Sequence, residues 1–479
     1  MARPKYIPTY NRLIMHRAAI LAASVAAVCA VAVGGVFAQS ETFDASVRAI
    51  LKELIEINTT ESAGNTTRAA EAMAGRLRDA GFSPNDVQVI GPTARKGNLV
   101  ARFRRTGARR PVLLLAHLDV VEAKREDWSF DPFTLLEKDG YFYGRGTSDD
   151  KGMAAQFMAN LIRLKQERFV PDRDLILALT ADEEGGDSNG VLWLLANHRD
   201  LIDAELAINE GGGGVARSGK YLVVEVQAAE KVYQDFRLEV HNGGGHSSLP
   251  IRNNAIARLA AGLTRLGAFE FPVRLTDTTR AYFERSAIVQ ADAQTAKDMR
   301  SAAKGTDQRA AARLAAASPY FNAMMRTTCV PTRLEGGHAN NALPQLAAAI
   351  LNCRLLPGDS PDEVRRRLVE VVADPQISVT FVGTATPSNP APLVPELMET
   401  VDTMTRSMFP GVVVVPVMST GATDGLYLRN AGIPTFGVDA TFADLDDVRA
   451  HGRDERVGVK QYFEGLEFQY RLIKMLSVH

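Results

Sequence analysis

The spacing of apolar positions divides the chain into two textures. In the first, short apolar runs at residues 98–103, 111–116 and 174–180 read as strands, with helical spacing at 46–58, 68–81, 153–167 and 190–198. Strands alternating with helices predict an α/β unit built on a largely parallel sheet. Near residue 232 the texture changes. A half-exposed strand at 232–240 is followed by a helix at 254–266, strands at 327–335 and 345–355, a helix at 361–372 and a strand at 377–382. That order is β-α-β-β-α-β, a ferredoxin-like unit interrupted by the long Ala/Arg/Asp-rich stretch 268–325. The first texture resumes from 384, with helices at 395–408, 424–431 and 459–475 and strands at 412–416 and 435–438. The pattern therefore predicts a smaller domain, 232–383, inserted into a larger one made of 39–231 and 384–479.

The first 38 residues differ from both textures. Arg3, Lys5, Arg12 and Arg17 precede an uncharged stretch from Ala18 to Ala38. A basic region, an apolar region and small residues at Val36-Phe37-Ala38 are the pattern of a secretory signal cut near Ala38. The apolar stretch is also long enough to stay as an uncleaved membrane anchor, which is the alternative. Cleavage would shift the formal net charge from −1 to −5, and the balance of 55 basic against 56 acidic residues offers no footprint for nucleic acid. After cleavage only Cys329 and Cys353 would remain. They flank a hairpin connection centred near residue 341, so a disulfide and two buried thiols are equally open.

Candidate chemistry collects where strands end. The apolar run beginning at Pro111 finishes in His117-Leu118-Asp119, and period-two alternation puts His117 and Asp119 on one face. A carboxylate there can fix one imidazole nitrogen and leave the other for a metal, although a buried His beside a capping Asp is the ordinary alternative. Asp149 and Asp150 open a helix after a glycine-rich turn, where acids also serve as caps. Asp182, Glu183 and Glu184 follow a strand directly, and Glu210 closes another apolar stretch. Three successive acids repel one another unless solvent or a cation separates them. Far downstream, Arg449-Ala450-His451-Gly452-Arg453-Asp454-Glu455 adds a second histidine. Two His and several carboxylates, without thiolates, are enough for two divalent cations of the zinc type, with Mn²⁺ or Co²⁺ as substitutes.

Taken in order, the blocks AHLDVV, DWSFDPF, YGRGTSDDKG, ADEEGG, NEGGG, GGHSSLP, NAMMRTT, NNALPQLAAAILNCRLLPG and AHGRDE resemble the M20 metallopeptidases. Within that family the chain looks most like the carboxypeptidase S and N-acyl-amino-acid hydrolase branch. The resemblance implies a zinc-peptidase-like α/β catalytic domain carrying the inserted unit as a lid and dimerisation domain. It implies that His117 and Glu210 hold one zinc, Glu184 and His451 the other, and Asp149 bridges them. Glu183 would be the general base and Asp119 would orient His117. His246, in the Asn242–Pro250 stretch, would stabilise the oxyanion of the partner subunit's substrate, which implies a homodimer. Arg354 would hold a terminal carboxylate, with a structural salt bridge as its alternative. Asn341 and Gly421 would make further substrate contacts, with turn formation an equal alternative.

Two features are set aside. Gly214 to Gly219-Lys220 has P-loop spacing, but Tyr221 stands where Ser or Thr would bind Mg²⁺, so a strand-connecting turn is expected. Nothing fixes His241 or His338 as ligands. The expected protein is an exported dinuclear-zinc amide hydrolase acting beside a free α-carboxylate, on short peptides or N-acyl amino acids. A dipeptidase or aminopeptidase of the same family, or a non-catalytic relative of the fold, is the alternative.

Overall fold

The structure is a computed structural model and describes residues 42–104, 109–305 and 307–478. The expected signal segment, 1–38, lies outside the described residues. Among the described residues no helix is long and apolar enough to cross a membrane.

The strand Arg173–Thr180 is buried at every position, as a continuous apolar run in the middle of a sheet should be. It pairs in parallel with Arg109–His117, which pairs in parallel with Leu206–Asn209, and that strand with Thr435–Val438. These four form the centre of a ten-stranded sheet, counted among the described residues. The expectation of a largely parallel sheet needs correction at the flanks, where Val87–Ile90 and Asn98–Phe103 pair antiparallel with their neighbours and Lys220–Glu230 pairs antiparallel with Thr435–Val438 and Gly214–Arg217 but parallel with Val413–Ser419. Turn geometry explains one flank. Ser218 and Gly219 both have positive φ (51° and 77°), as a two-residue hairpin turn requires, so Gly214–Arg217 folds straight back onto Lys220–Glu230. The P-loop-like spacing is this turn.

Helices Thr66–Asp79, Lys151–Gln166 and Val459–Leu476 bury their apolar faces on one side of the sheet. On the other side of its far half, Tyr282, Phe283, Met299, Leu314 and Met324 pack on Val223, Val415, Val417 and Met418. Those five belong to the four helices between Asp277 and Met325. The 268–325 stretch therefore covers the large sheet, although it lies within the chain span of the expected insertion. The reason is the apolar face of Lys220–Glu230 and Val413–Ser419, which needs a second layer.

A separate four-stranded antiparallel sheet has the order Thr328–Gly336, Leu346–Leu355, Val232–His241, Ile377–Val382. Helices Ala255–Gly267 and Pro361–Val372 cover one face and build a second core around Phe236, Leu259, Leu351 and Leu368. Lys231 is the joint between the two sheets. It is buried, and its Nζ donates to Ala323 O, Arg326 O and Thr328 Oγ1 at 3.0, 2.8 and 3.1 Å.

Cys329 lies opposite Cys353 in the ladder, and the two form a disulfide with their Cα atoms 4.1 Å apart. Of the two readings left open by the sequence, the structure takes the bonded one. For protein spanning residues 39–479, thiol titration after unfolding without reductant should find no free cysteine. Replacing both cysteines by serine should cost about 3 kcal/mol in denaturant unfolding, the scale set by the 24-residue separation.

Candidate metal centre

The parallel strands point their C-terminal ends to one edge, and His117, Thr180 and Asn209 each end a strand there. Open α/β sheets form their sites at such edges. His117 is buried and its Nε2 lies 3.1 Å from Asp149 Oδ1 and 3.9 Å from Glu210 Oε1. On the far side of Asp149, His451 Nε2 lies 3.0 Å from Oδ2 and 2.8 Å from Glu184 Oε1. Asp149 thus stands between two imidazoles, with one acid beside each. Potential ligand atoms of His117, Asp149 and Glu184 lie within 4.8 Å of one another, and so do those of His117, Glu183 and Glu210.

Asp119 holds the set differently from the simplest expectation. Its backbone carbonyl, not its carboxylate, accepts from His117 Nδ1 at 3.0 Å, while Oδ1 is 3.6 Å away. The carboxylate instead accepts the backbone amides of Glu183 and Glu184 at 3.1 and 2.9 Å. One residue therefore orients the imidazole and fixes both neighbouring acids. The turn that delivers them has Asp182 at φ 58° and Gly186 packed against it, where an added Cβ would meet Asp182 Oδ2 at 2.5 Å.

Glu455 positions Asp149. It is fully buried, and its Oε1 accepts from the amides of Gly146, Ser148 and Asp149 at 3.1, 2.9 and 3.2 Å. Its Oε2 meets the guanidinium of Arg145 at 2.6 Å, and Arg145 Nη2 donates to Gly452 O at 3.0 Å. The loop carrying Asp149 and the loop carrying His451 are thereby locked together. The pairing of Arg456–Gly458 with Tyr141–Tyr143 adds a second tie.

Burial pushes the Glu183 carboxyl up to about 9, and the charges of Asp424, Glu184 and Asp119 add to it against the pull of His117. Glu210 is raised well above its ordinary value by burial and by Glu183 and Asp149. Hydrogen bonding to Asp149 raises His451 to about 9. Asp149 moves the other way: burial opposes its ionisation, but the bonds from His117 and His451 prevail. Five carboxylates (Asp119, Asp149, Glu183, Glu184, Glu210) thus face two imidazoles in a largely buried space. Such an excess of buried negative charge is costly unless cations compensate it. Imidazole nitrogen and carboxylate oxygen are the donors that divalent first-row ions take, so the residues fit a metal centre.

Among the described residues no hydrogen bond or ion pair joins the remaining candidates to this cluster. His246 sits on the strand Gly245–His246, exposed, with Nδ1 2.7 Å from Ser248 Oγ. Asn341 is exposed on the facing loop, and its carbonyl accepts from Ser247 N. Arg354 stacks over the Tyr233 ring at 4.7 Å and has no carboxylate partner among the described residues, so the salt-bridge alternative is not what the fold uses. Gly421 donates its amide to Ser419 Oγ at 3.0 Å, a turn contact. His241 meets Glu239 at 2.5 Å on the surface. Glu455 and Asp424 went unassigned in the sequence, although Glu455 lies within the AHGRDE block and Asp424 opens the expected helix 424–431. Asp424 is buried, accepts from Asn189 Nδ2 at 2.6 Å, and is one of the charges that raise Glu183.

The pattern of Peptidase family M20/M25/M40 matches residues 113–475. The chain belongs to this family. It is 28% identical over 386 residues to a human protein named N-fatty-acyl-amino acid synthase/hydrolase PM20D1, covering 76% of this chain and 74% of that one. To the Dictyostelium discoideum probable carboxypeptidase S-like 2 it is 28% identical over 380 residues, covering 76% and 71%. Among solved structures, the M20 family metallo-carboxypeptidase from Sulfolobus solfataricus superposes with a TM-score of 0.65 at 18% identity, covering 90% and 98%. Human carnosine dipeptidase 1 gives 0.62 at 16%, covering 92% and 98%. This M20 chain is thus a metallopeptidase-type amide hydrolase with an M20 fold.

Replacing Glu455 by alanine strands Arg145 and frees three loop amides. The expected cost is roughly 3–5 kcal/mol in chemical unfolding, the scale for breaking a buried pair, with metal content per chain falling at the same time.

Proposed function

We propose that this M20 chain is an exported dinuclear-zinc hydrolase that cleaves the amide next to a free C-terminal carboxylate. Its substrates are short peptides or N-acyl amino acids. The reading is carried by one arrangement: Asp149 lies between His117 and His451 at 3.1 and 3.0 Å, with Glu210 and Glu184 flanking them and Glu183 beside the set. His117, Asp149 and Glu210 would hold one zinc, and Asp149, Glu184 and His451 the other. Two such cations supply Lewis acidity, polarising the amide carbonyl and making water a nucleophile at neutral pH.

Glu183 takes the proton of the attacking water and passes it to the leaving amine. Its backbone is tied to Asp119, so the carboxylate has a fixed origin. Arg354, a guanidinium with no acidic partner among the described residues, receives the substrate's carboxylate in bidentate fashion. Asn341 and Gly421 contact the same end of the substrate. The similarity to a hydrolase of N-fatty-acyl amino acids and to carboxypeptidase S-like proteins supports this choice of bond.

His246 stabilises the oxyanion in the partner subunit of a homodimer. Its exposure suits a group offered to another chain. Support for dimerisation comes from the outer strand Thr328–Gly336, which is exposed along most of its length and carries Val330 and Leu334 at 56% and 71% exposure. Leu249 and Ile256 extend the apolar surface of this unit. Such an edge is an invitation to pair. Export by the N-terminal signal to a periplasmic or extracellular space agrees with the disulfide.

With zinc-loaded protein, amino acid should be released from N-acyl amino acids and N-blocked dipeptides. Glu183→Ala should retain its metal and lose at least a thousandfold in kcat. Release from unblocked dipeptides alone would move the assignment to a dipeptidase, and loss of metal in Glu183→Ala would mean that Glu183 is a ligand. Mixing inactive Glu183→Ala and His246→Ala subunits should restore up to about a quarter of wild-type turnover, the share expected for one intact site per mixed dimer at even mixing. Absence of recovery after verified subunit exchange would remove the trans role of His246.

A further inference from the structure

Between the segment 270–275 and the helices that cover the large sheet lies a cavity of about 600 Å³, an ordinary size for a ligand site. Its wall draws on the helices Asp277–Val289, Ala293–Ala303 and Gln308–Ala317, and on none of the metal-cluster residues. Arg326 completes the wall, between the helix Pro319–Met325 and the strand Thr328–Gly336.

The charges in this wall do not cancel. The Arg326 side chain is only 8% exposed, yet its guanidinium makes a single pairing among the described residues, from Nη1 to Glu270 Oε2. Its Nε is buried and has no hydrogen-bond partner among those residues. A guanidinium has five N–H donors, and burying one so incompletely satisfied is costly. Arg280 donates to Ala303 O and has no carboxylate partner among the described residues. Arg274 is held by Asp359 at 2.6 Å. Both acids of the wall are engaged. Glu270 meets Arg326, and Asp307 Oδ1 caps its helix by accepting the amides of Arg309 and Ala310, each at 3.0 Å. Three guanidinium groups against two carboxylates leave the wall with one positive charge. The rest of the surface near them is hydrocarbon, from Phe271, Leu275 and Ala311.

We propose that this cavity is a ligand site, separate from the metal centre, for a small organic carboxylate with an apolar body. The carboxylate accepts from the free donors of Arg326 and Arg280, a planar match that guanidinium groups favour. The body lies against Phe271, Leu275 and Ala311. One negative charge balances the wall, whereas a phosphate would bring nearly two against the neighbouring Glu270. The position of Arg326 gives the site a consequence. Its carbonyl accepts from Lys231 Nζ at 2.8 Å, and the carbonyl before it, on Met325, accepts from Arg274 N at 2.8 Å. A ligand bridging Arg326 and Arg280 therefore ties the joint between the two sheets to the helices over the large one. Occupancy stiffens that joint.

Hydrogen–deuterium exchange of zinc-loaded protein spanning residues 39–479, with 3-phenylpropionate as the probe, tests both parts. Exchange should slow in 270–280 and 302–312, around the cavity, and in 228–234, at the joint. 3-Phenylpropan-1-ol, the same body without the charge, should need at least tenfold more for equal protection. Arg280→Gln and Ala312→Glu, both at exposed lining positions, should each weaken the effect of the acid at least tenfold. Zinc content and melting temperature should stay at wild-type values in both variants. Equal protection by acid and alcohol, or protection that both variants leave unchanged, overturns the site. Protection confined to segments of the metal centre does the same. Inorganic phosphate protecting 270–280 at lower concentration than the acid overturns the carboxylate class. Protection around the cavity with none in 228–234 overturns the link to the joint.

Discussion

Negative charge crowded at the end of a parallel sheet is the constraint around which this structure is arranged. Asp149 between two imidazoles is its centre, and Glu183, Glu184, Glu210 and Asp119 surround it. Repulsion among such groups would spread the loops apart if they were loosely held. The fold resists this with backbone amides. Asp119 takes two from the Glu183-Glu184 turn, and Glu455 takes three from the loop before Asp149. The acids proposed as ligands are thus supported by Asp119 and Glu455, which are the more deeply buried. Pre-positioning of this kind lets a centre keep its geometry while its ligands are mutually repulsive.

The same logic explains which parts could be read from the sequence. Strand-end motifs were legible because a local pattern, an apolar run closing on His or Glu, coincides with a rule about where α/β sheets place their sites. His117, Glu183, Glu184 and Glu210 sit in such motifs, whereas Asp149 stands before a helix and His451 in a loop, and the structure gathers all six. Glu455 and Asp424 were not legible as positioning groups. Their partners lie hundreds of residues away: Glu455 reaches the amides at 146–149, and Asp424 reaches Asn189. Only the packed loops reveal that an acid inside AHGRDE faces inward while Asp454 next to it bonds Ser129 on the surface.

Topology shows a parallel contrast. The smaller unit follows β-α-β-β-α-β order, and its sheet order is the one that connection produces without crossing loops. The mixed flanks of the large sheet were hidden, because the short strands Val87–Ile90 and Gly214–Arg217 carry little periodicity of their own. The Ala/Arg/Asp-rich stretch 268–325 could be read as an interruption of the smaller unit, but not as cover for a distant sheet. Its partners, Val223 and Val415, belong to strands on either side of the smaller unit in sequence. The disulfide is an intermediate case. Register can be guessed from symmetry about a hairpin, yet a slip of one residue would put Cys329 and Cys353 on opposite faces.

The joint at Lys231 connects these observations to catalysis. A buried ammonium satisfied by two carbonyls and a hydroxyl fixes where the smaller sheet leaves the larger one, and the neighbouring Glu230 pairs with Arg429 at 2.7 Å. Two of the Lys231 acceptors, Ala323 and Arg326, lie at the end of the helices that cover the large sheet, and the third, Thr328, begins the outer strand of the small one. The joint is therefore tied on both sides. Arg354 pairs in register with Tyr233, two residues beyond Lys231, so the proposed carboxylate anchor sits next to the fixed point. His246 lies farther out, on the two-stranded pairing of Gly245–His246 with Ala342–Leu343. A rotation about Lys231 would move Arg354 little and His246 much. On this geometry the group proposed for the substrate's carboxylate lies beside the fixed point, and the residue proposed for the oxyanion lies farther from it.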